Sequence, residues 1–203
     1  GNQDKLDIVN YVKLGKNEQP LILRDRIIKD DFTIDYIGQS DSKTRANLKI
    51  QDGCDFYCSF CIIPTTRGTT RSRSAGSIFK RMRQLAAEGF KEAVLTGVNV
   101  AQYHDPAVGN LTDLLYALEA KETPDRIRFG SVEVNHVDDR FIAYYSHSQK
   151  ICRHLHIPLQ SGCTTVLRAM HRKYTAEDYY DRVTRILKHV PGTAIGADVM
   201  VGF

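Results

Sequence analysis

Cys54, Cys58 and Cys61 stand in the stretch GCDFYCSFCIIP with the spacing C-x3-C-x2-C. Thiolates are soft ligands that favour zinc or iron–sulfur clusters over hard cations. Three of them are an odd number for disulfides and one short of a closed structural zinc site. His104, in NVAQYHDPAVGN, could be a fourth zinc ligand, but its segment reads as a strand-end loop and not as a zinc knuckle. Three bare thiols in one loop would be an oxidation hazard without a metal. A cubane [4Fe–4S] cluster takes four thiolates, so three leave one iron able to bind something else. A catalytic metal centre needs such an open position and a structural one avoids it. The spacing therefore points to a cluster that touches a substrate or cofactor, with zinc as the alternative.

Elements around the loop must position it. NLKIQD, just before it, reads as a short strand. SIFKRMRQLAAEG places Ile78, Met82, Leu85 and Ala86 on one helical face. Then follow EAVLTG as a strand, NLTDLLYALEA as a helix, RIRFGSV as a strand and DDRFIAYYSHSQ as a helix. CRHLHIPL reads as a fourth strand, TTVLRAM and TAEDYYDRVTRILKHV as helices, and AIGADVMVG as a fifth strand. Thr175 and Asp178 are spaced for a capping box. Strand and helix alternate five times, which predicts an α/β fold with a parallel sheet, open or curled into a barrel, and helices outside it. Right-handed crossovers bring all strand C-terminal ends to one face, and the cysteine loop lies there because it follows the first strand.

The 203 residues suffice for one domain with a sizeable core. A composition of 42% hydrophobic and 26% charged residues is that of a globular protein. Net charge +4 and a pI of about 8.8 allow a nucleic-acid partner without demanding one. No apolar run approaches the roughly 20 residues of a membrane helix. The first residues show no signal-peptide core, and five cysteines without one suggest a reducing, cytoplasmic compartment. Residues 1–46 differ from the rest. Leu6, Val9 and Val12 predict a short helix, and the polar stretch after Gly15 reads as a linker with short extended pieces. The strand-like run that closes the sequence suggests a fragment of a longer protein.

The thiol spacing, its place after the first strand, and Phe60 just before the last cysteine resemble the radical S-adenosylmethionine (SAM) superfamily. LKIQDGCDFYCSFCIIPTTRGTTRSR is similar to the signature of its methylthiotransferases, with Pro64, Arg67 and Gly68 at family positions. LTGVNVAQY, HLHIPLQSGC, VLRAMHRKYT and GADVMVGF match further family blocks in order. The resemblance implies a parallel β/α partial barrel of the radical SAM type over residues 47–203, cut after the fifth strand, with 1–46 as the tail of a preceding domain and a linker. It implies that Cys54, Cys58 and Cys61 hold a [4Fe–4S] cluster whose open iron chelates SAM. One electron then splits the sulfonium and gives a 5′-deoxyadenosyl radical. The implied reaction adds a methylthio group to a modified adenosine at position 37 of tRNA, with LKIQDGC and LTGVN most similar to the threonylcarbamoyladenosine branch. Alternatives are an aspartate of a ribosomal protein as target, another radical SAM reaction, or a zinc-stabilised RNA-binding module without catalysis. A complete member carries a second [4Fe–4S] cluster in an N-terminal domain and a C-terminal RNA-binding domain, and takes electrons from a donor such as a flavodoxin or ferredoxin. No membrane partner is implied.

The resemblance also suggests SAM contacts. Phe60, with Ile62, would face the adenine. Gly97 would let the ammonium approach the backbone. Ser131 and Glu133, in an S-x-E pattern followed by Val134 where the family usually has proline, would meet ribose hydroxyls or the ammonium. Gln160 and Ser161 are polar candidates after the fourth strand. Asp198, inside the fifth, must face a polar cavity or be paired. Arg67, Arg71 and Arg73 suit phosphate or pair with the acidic linker. His154 and His156 read as lining a barrel interior. Cys152 and Cys163 read as small packed hydrophobes. No side chain is assigned a catalytic role.

Overall fold

The computed structural model describes residues 7–15, 19–23 and 44–203. The N-terminal helix expected around Val9 and Val12 is α1 (Ile8–Lys13), and it buries nothing among the described residues. Leu6 and most of the linker reading lie outside those residues.

Five parallel strands carry the architecture. β1 (Arg45–Lys49) pairs β4 (Glu92–Thr96), which pairs β7 (Arg126–Phe129). β8 (His154–His156) pairs β9 (Ala194–Gly196), also in parallel. Single bridges Ile127↔Ile151 and Ser131↔His156 join the two sets, so the strands follow chain order in one open arc. Among the described residues the barrel is partial and does not close, as the family resemblance implied.

Period-2 alternation sorts the strand residues by face. Ala46, Leu48, Ala93, Leu95, Ile127, Phe129 and Leu155 are buried under the helices. Those helices are α3 (Ala75–Ala87), α4 (Leu111–Glu119), α5 (Asp139–His147) and α7 (Ala176–His189). They bring Ile78, Met82, Leu114, Leu118, Phe141, Tyr145 and Ile186 into the same core. Their starts are fixed by side chains that take up otherwise orphaned backbone N–H groups. Ser74 accepts from Ser77 and Asp138 from Phe141. Asn110 with Asp113, and Thr175 with Asp178 as the spacing predicts, form capping boxes.

The other strand face is charged. Glu92 stands between Arg45 and Arg126 in the ladder register. Its carboxylate meets Arg45 at 3.7 Å, Arg126 at 3.2 Å and Arg128 at 3.0 Å. This cluster ties three strands together at the arc's N-terminal end, and the strand C-terminal ends carry the cysteine loop.

Strand ends depart from the sequence reading. The run 152–159 is a strand only over β8, since Pro158 offers no N–H to a ladder. The run 194–202 stops at Gly196, and Asp198 therefore lies beyond β9, exposed, and not inside a strand. Two small hairpins were not foreseen. β2 (Gln51–Asp52) pairs β3 (Arg71–Ser72), and β5 (His104–Asp105) pairs β6 (Gly109–Asn110). The first closes the base of the cysteine loop.

Burial pushes the Glu92 carboxyl up, and its arginines outweigh that, so it titrates below its ordinary 4.5. A depressed folded pKa gives stability that is present above 4.5 and lost as pH falls through the folded value. Glu92→Ala should cost about 2 kcal/mol near pH 7, less than a fully buried pair because Arg45 and Arg126 are more than half exposed. Urea midpoints across pH test this. The gap between native and variant should close in acid, and a gap constant with pH would refute the charge network.

Candidate active site

The chain enters the cysteine loop through two buried polar residues, Gln51 and Asp52. Gln51 Nε2 donates to the Gly53 carbonyl at 2.7 Å and to Thr70 Oγ1 at 2.9 Å. Its Oε1 accepts the Asn99 N–H at 2.9 Å. One side chain thus pins both ends of the loop to the turn after β4. Asp52 accepts the Gly53 N–H at 3.0 Å and meets Lys49 at 2.8 Å, Arg67 at 3.2 Å and Arg71 at 3.2 Å. Burial raises its pKa, and Lys49, the Gly53 N–H and Arg67 together bring it below 3.8. Arg67 and Arg71 are therefore spent on this carboxylate and are not free for phosphate. Arg73 is buried, with its Nε on Ser77 Oγ at 2.9 Å. Arg67 and Arg71 thus pair within the chain, but with Asp52 and not with the acidic linker, most of which lies outside the described residues.

Gly53 turns the backbone at φ +75, and a Cβ there would lie 2.0 Å from the Thr69 carbonyl oxygen. The Cys54 N–H donates to the Gly68 carbonyl. Further along, Ser59 docks on the end of α6 (Thr164–Ala169), its N–H on the Met170 carbonyl and its Oγ on that of Ala169. The loop is thus fastened at its base and at its tip.

The three thiols line one cavity of about 220 Å³ at the strand C-terminal ends, with Phe56, Phe60, Ile63, Val98, Asn99, Ser131, Glu133, Pro158, Gln160 and Arg172. That is below the roughly 300–1,000 Å³ of most small-molecule sites, so a larger ligand would extend into solvent. Glu133 and Arg172, 13% and 4% exposed, form an ion pair at its wall. Arg172 Nη1 also lies 3.2 Å from Cys58 Sγ. Burial raises the Glu133 carboxyl against the pull of Arg172. Burial likewise raises the Cys54 thiol.

A zinc ion would draw thiolates to roughly 2.3 Å from one point. Among the described residues no three His, Cys, Asp or Glu side chains converge tightly enough for one metal ion. His104 is exposed on β5 and lies outside the cavity wall. A cluster is wider than an ion, so it needs thiols spread around a cavity, which is the arrangement present.

Of the residues expected to touch SAM, Phe60, Ser131, Glu133 and Gln160 stand on the cavity wall. Gly97 does not. A Cβ on Gly97 would meet Gln51 Oε1 at 2.7 Å, so its smallness serves the packing of Gln51, while Val98 and Asn99 reach the cavity. Ile62 is exposed and its neighbour Ile63 takes the wall position. Ser161 is also absent from the wall. Gln160 holds φ +64, a left-handed conformation uncommon outside glycine. Cys152 is partly buried 3.9 Å from Glu92, at the opposite end of the arc. Cys163 is exposed at the start of α6, which corrects its reading as a packed hydrophobe.

Three wall or support residues escaped the sequence reading. Arg172 lies 114 positions from its thiol partner. Gln51 reads as a surface residue by type. Asn99 is 5% exposed and lines the cavity, and its side chain lies close enough to Cys54 to favour the thiolate against burial. A buried amide on a cavity wall is a ready contact for a ligand.

An open arc of parallel strands, helices on its outside and a thiol-lined cavity at its C-terminal ends define a cofactor-enzyme core. The sequence profile of the radical SAM superfamily matches residues 48–203, and the chain belongs to that superfamily. Its members use a [4Fe–4S] cluster and SAM. The chain is 41% identical over 211 positions to threonylcarbamoyladenosine tRNA methylthiotransferase MtaB of Bacillus subtilis, covering 100% of this chain and 46% of that protein. It is 40% identical to tRNA-2-methylthio-N(6)-dimethylallyladenosine synthase of Syntrophomonas wolfei, over 78% of this chain and 36% of that one. The chain spans less than half the length of these curated relatives. Among solved structures, the cobalamin-dependent radical SAM enzyme OxsB superposes with TM-score 0.59 at 15% identity, over 76% of this chain and 23% of that one. The methyltransferase TsrM of Kitasatospora setae gives 0.58 at 18%, over 75% and 30%. These likenesses concern the fold.

Gly53→Ala tests how far the loop depends on its base. The added methyl meets backbone at a left-handed position, so a loss of more than about 2 kcal/mol is expected. Thermal unfolding and protease cleavage within 53–70 measure it. An unchanged melting temperature with an intact loop would show that the turn can relax.

Proposed function

We propose that residues 47–203 form the catalytic core of a tRNA methylthiotransferase, with 1–46 as the tail of a preceding domain and a linker. The observation that carries this reading is the convergence of Cys54, Cys58 and Cys61 on one cavity that also holds a buried opposite-charge pair. Three thiols with no close fourth ligand suit a [4Fe–4S] cluster with an open iron. Once bound, cluster and SAM supply reductive cleavage of the sulfonium, the source of a carbon radical.

The residues of the chain do the rest. Glu133 and Arg172 match the ammonium and carboxylate of an amino acid, the two charged groups at one end of SAM. Asn99 presents a buried amide beside Cys54, and Phe56 and Phe60 supply apolar wall. Arg168, near the end of α6, and Lys173, beside Arg172, stand exposed. They place positive charge beside the cavity, where the arginines after the cysteine loop do not. That suits the phosphates of a nucleic acid. The relative from Bacillus subtilis supports threonylcarbamoyladenosine at position 37 as the target. This reading implies a cytoplasmic protein, and no helix among the described residues is long and apolar enough to cross a membrane. It also implies an electron donor of the flavodoxin or ferredoxin kind. A second, sulfur-carrying cluster would be held outside these 203 residues, since the two remaining cysteines, Cys152 and Cys163, have no third thiol to join them and neither lines the cavity.

Replacing Cys54, Cys58 or Cys61 by alanine should remove most of the iron bound after anaerobic reconstitution, and Cys152→Ala or Cys163→Ala should not. Full iron retention in Cys58→Ala would sink the assignment.

With reductant and SAM, the loaded chain should form 5′-deoxyadenosine without adding a methylthio group to tRNA. Mass spectrometry of the small molecules and of digested tRNA reads both. A methylthio product would show that sulfur arrives without a second cluster.

A further inference from the structure

Ser131 and His156 are joined twice. A parallel bridge links their backbones, with the Val132 N–H on the His156 carbonyl at 2.9 Å. Ser131 Oγ lies 2.7 Å from His156 Nδ1. The ring packs over Gly196, where a Cβ would approach its Cδ2 to 3.1 Å, so it has little room on that side. On the ring's far edge, Nε2 lies 3.5 Å from Asp198 Oδ1. That is long for a hydrogen bond and within ion-pair reach. Of the three, Ser131 lines the cysteine cavity, His156 is partly buried and Asp198 is 66% exposed.

We propose that Asp198 and His156 set the hydrogen-bond direction of Ser131, so that Oγ accepts from a donor group on the ligand in the cavity. The proposal rests on the SAM reading of that cavity. A carboxylate only accepts, and it favours the proton on Nε2. A neutral imidazole with Nε2–H leaves Nδ1 as an acceptor. Ser131 must then give its own proton to Nδ1, and its lone pairs are left for the cavity. Whatever meets Ser131 must bring an N–H or O–H. SAM has two such groups, the α-ammonium and the ribose hydroxyls. His156 and Asp198 act here as positioning residues, not as catalytic ones.

Nitrogen-15 NMR of histidine-labelled chain reads the tautomer without any cofactor. His156 is expected as the Nε2–H form, identified by the signal that His156→Gln removes. Asp198→Ala should weaken that preference. An Nδ1–H ring at position 156 would overturn the proposal. The ligand half is read by calorimetric titration of S-adenosylhomocysteine into cluster-loaded chain without oxygen. Asparagine places an amide oxygen near the site of Nδ1, and glutamine places its amide near Nε2. His156→Asn should keep the dissociation constant within about twofold, while His156→Gln and Ser131→Ala raise it roughly five- to tenfold, as for one neutral hydrogen bond. Equal losses in the two His156 variants would reduce the ring to packing and overturn the proposal. Analogues lacking the ribose hydroxyls or the α-amino group then identify the donor. One of them should lose its penalty in Ser131→Ala, and full additivity for both would show that no donor meets Ser131. No binding to the native chain would remove the SAM reading and the ligand half with it, while the tautomer would still decide whether the relay exists.

Discussion

A carboxylate without solvent, Asp52, holds the site together. Burying it alone would be costly, and three cations with one backbone N–H make it favourable. Those partners come from β1, from α2 (Ile63–Arg67) beyond the cysteines and from β3, so satisfying the charge also gathers the chain that leaves the loop onto the chain that enters it. Gln51 extends the same logic to neutral groups and adds the turn after β4. The cysteines themselves need no order of their own. Their loop is suspended from a base built of polar contacts and from a second anchor at α6.

The concave face of the arc has two poles of different character. At its N-terminal end Glu92 sits among arginines that answer one another across strands, a structural arrangement with no opening. At its C-terminal end the polar groups face a cavity. The division follows from parallel strands, which place all loops that can vary on one rim. Cys152 at the first pole and Cys58 at the second show how little residue type alone decides. The same thiol is packing material beside Glu92 and a candidate ligand beside Arg172.

The arc was legible because its buried faces repeat. Ala46 with Leu48, Ala93 with Leu95 and Ile127 with Phe129 give each strand an apolar side, and the helices between them carry their own caps. What periodicity does not encode was lost. The hairpin at the loop base has two residues per strand, too few for a pattern. Asp198 read as a strand residue because its neighbours are apolar, yet β9 stops at Gly196 and only a single bridge, Gln160↔Val199, follows it. Within the site, the cysteines and four of the seven residues expected beside them lie on the cavity wall. Arg172 could not be foreseen, since nothing near it in sequence mentions a thiol. Gly97 failed for the opposite reason. Its small size makes room for Gln51, and its neighbours Val98 and Asn99 carry the wall.

Glu133 and Arg172 satisfy each other in a cavity that has no need to be empty to be stable. Any visitor must therefore offer more than contact. A neutral adenine compound leaves the pair closed and gains little there. A polyphosphate nucleotide could engage Arg172 but would strand Glu133 against negative charge. Only a molecule carrying both signs at the spacing of an amino acid exchanges one salt link for two. On the proposed SAM reading, the closed pair would thus set the cavity against the commonest adenine nucleotides of the cell, because it is content without them.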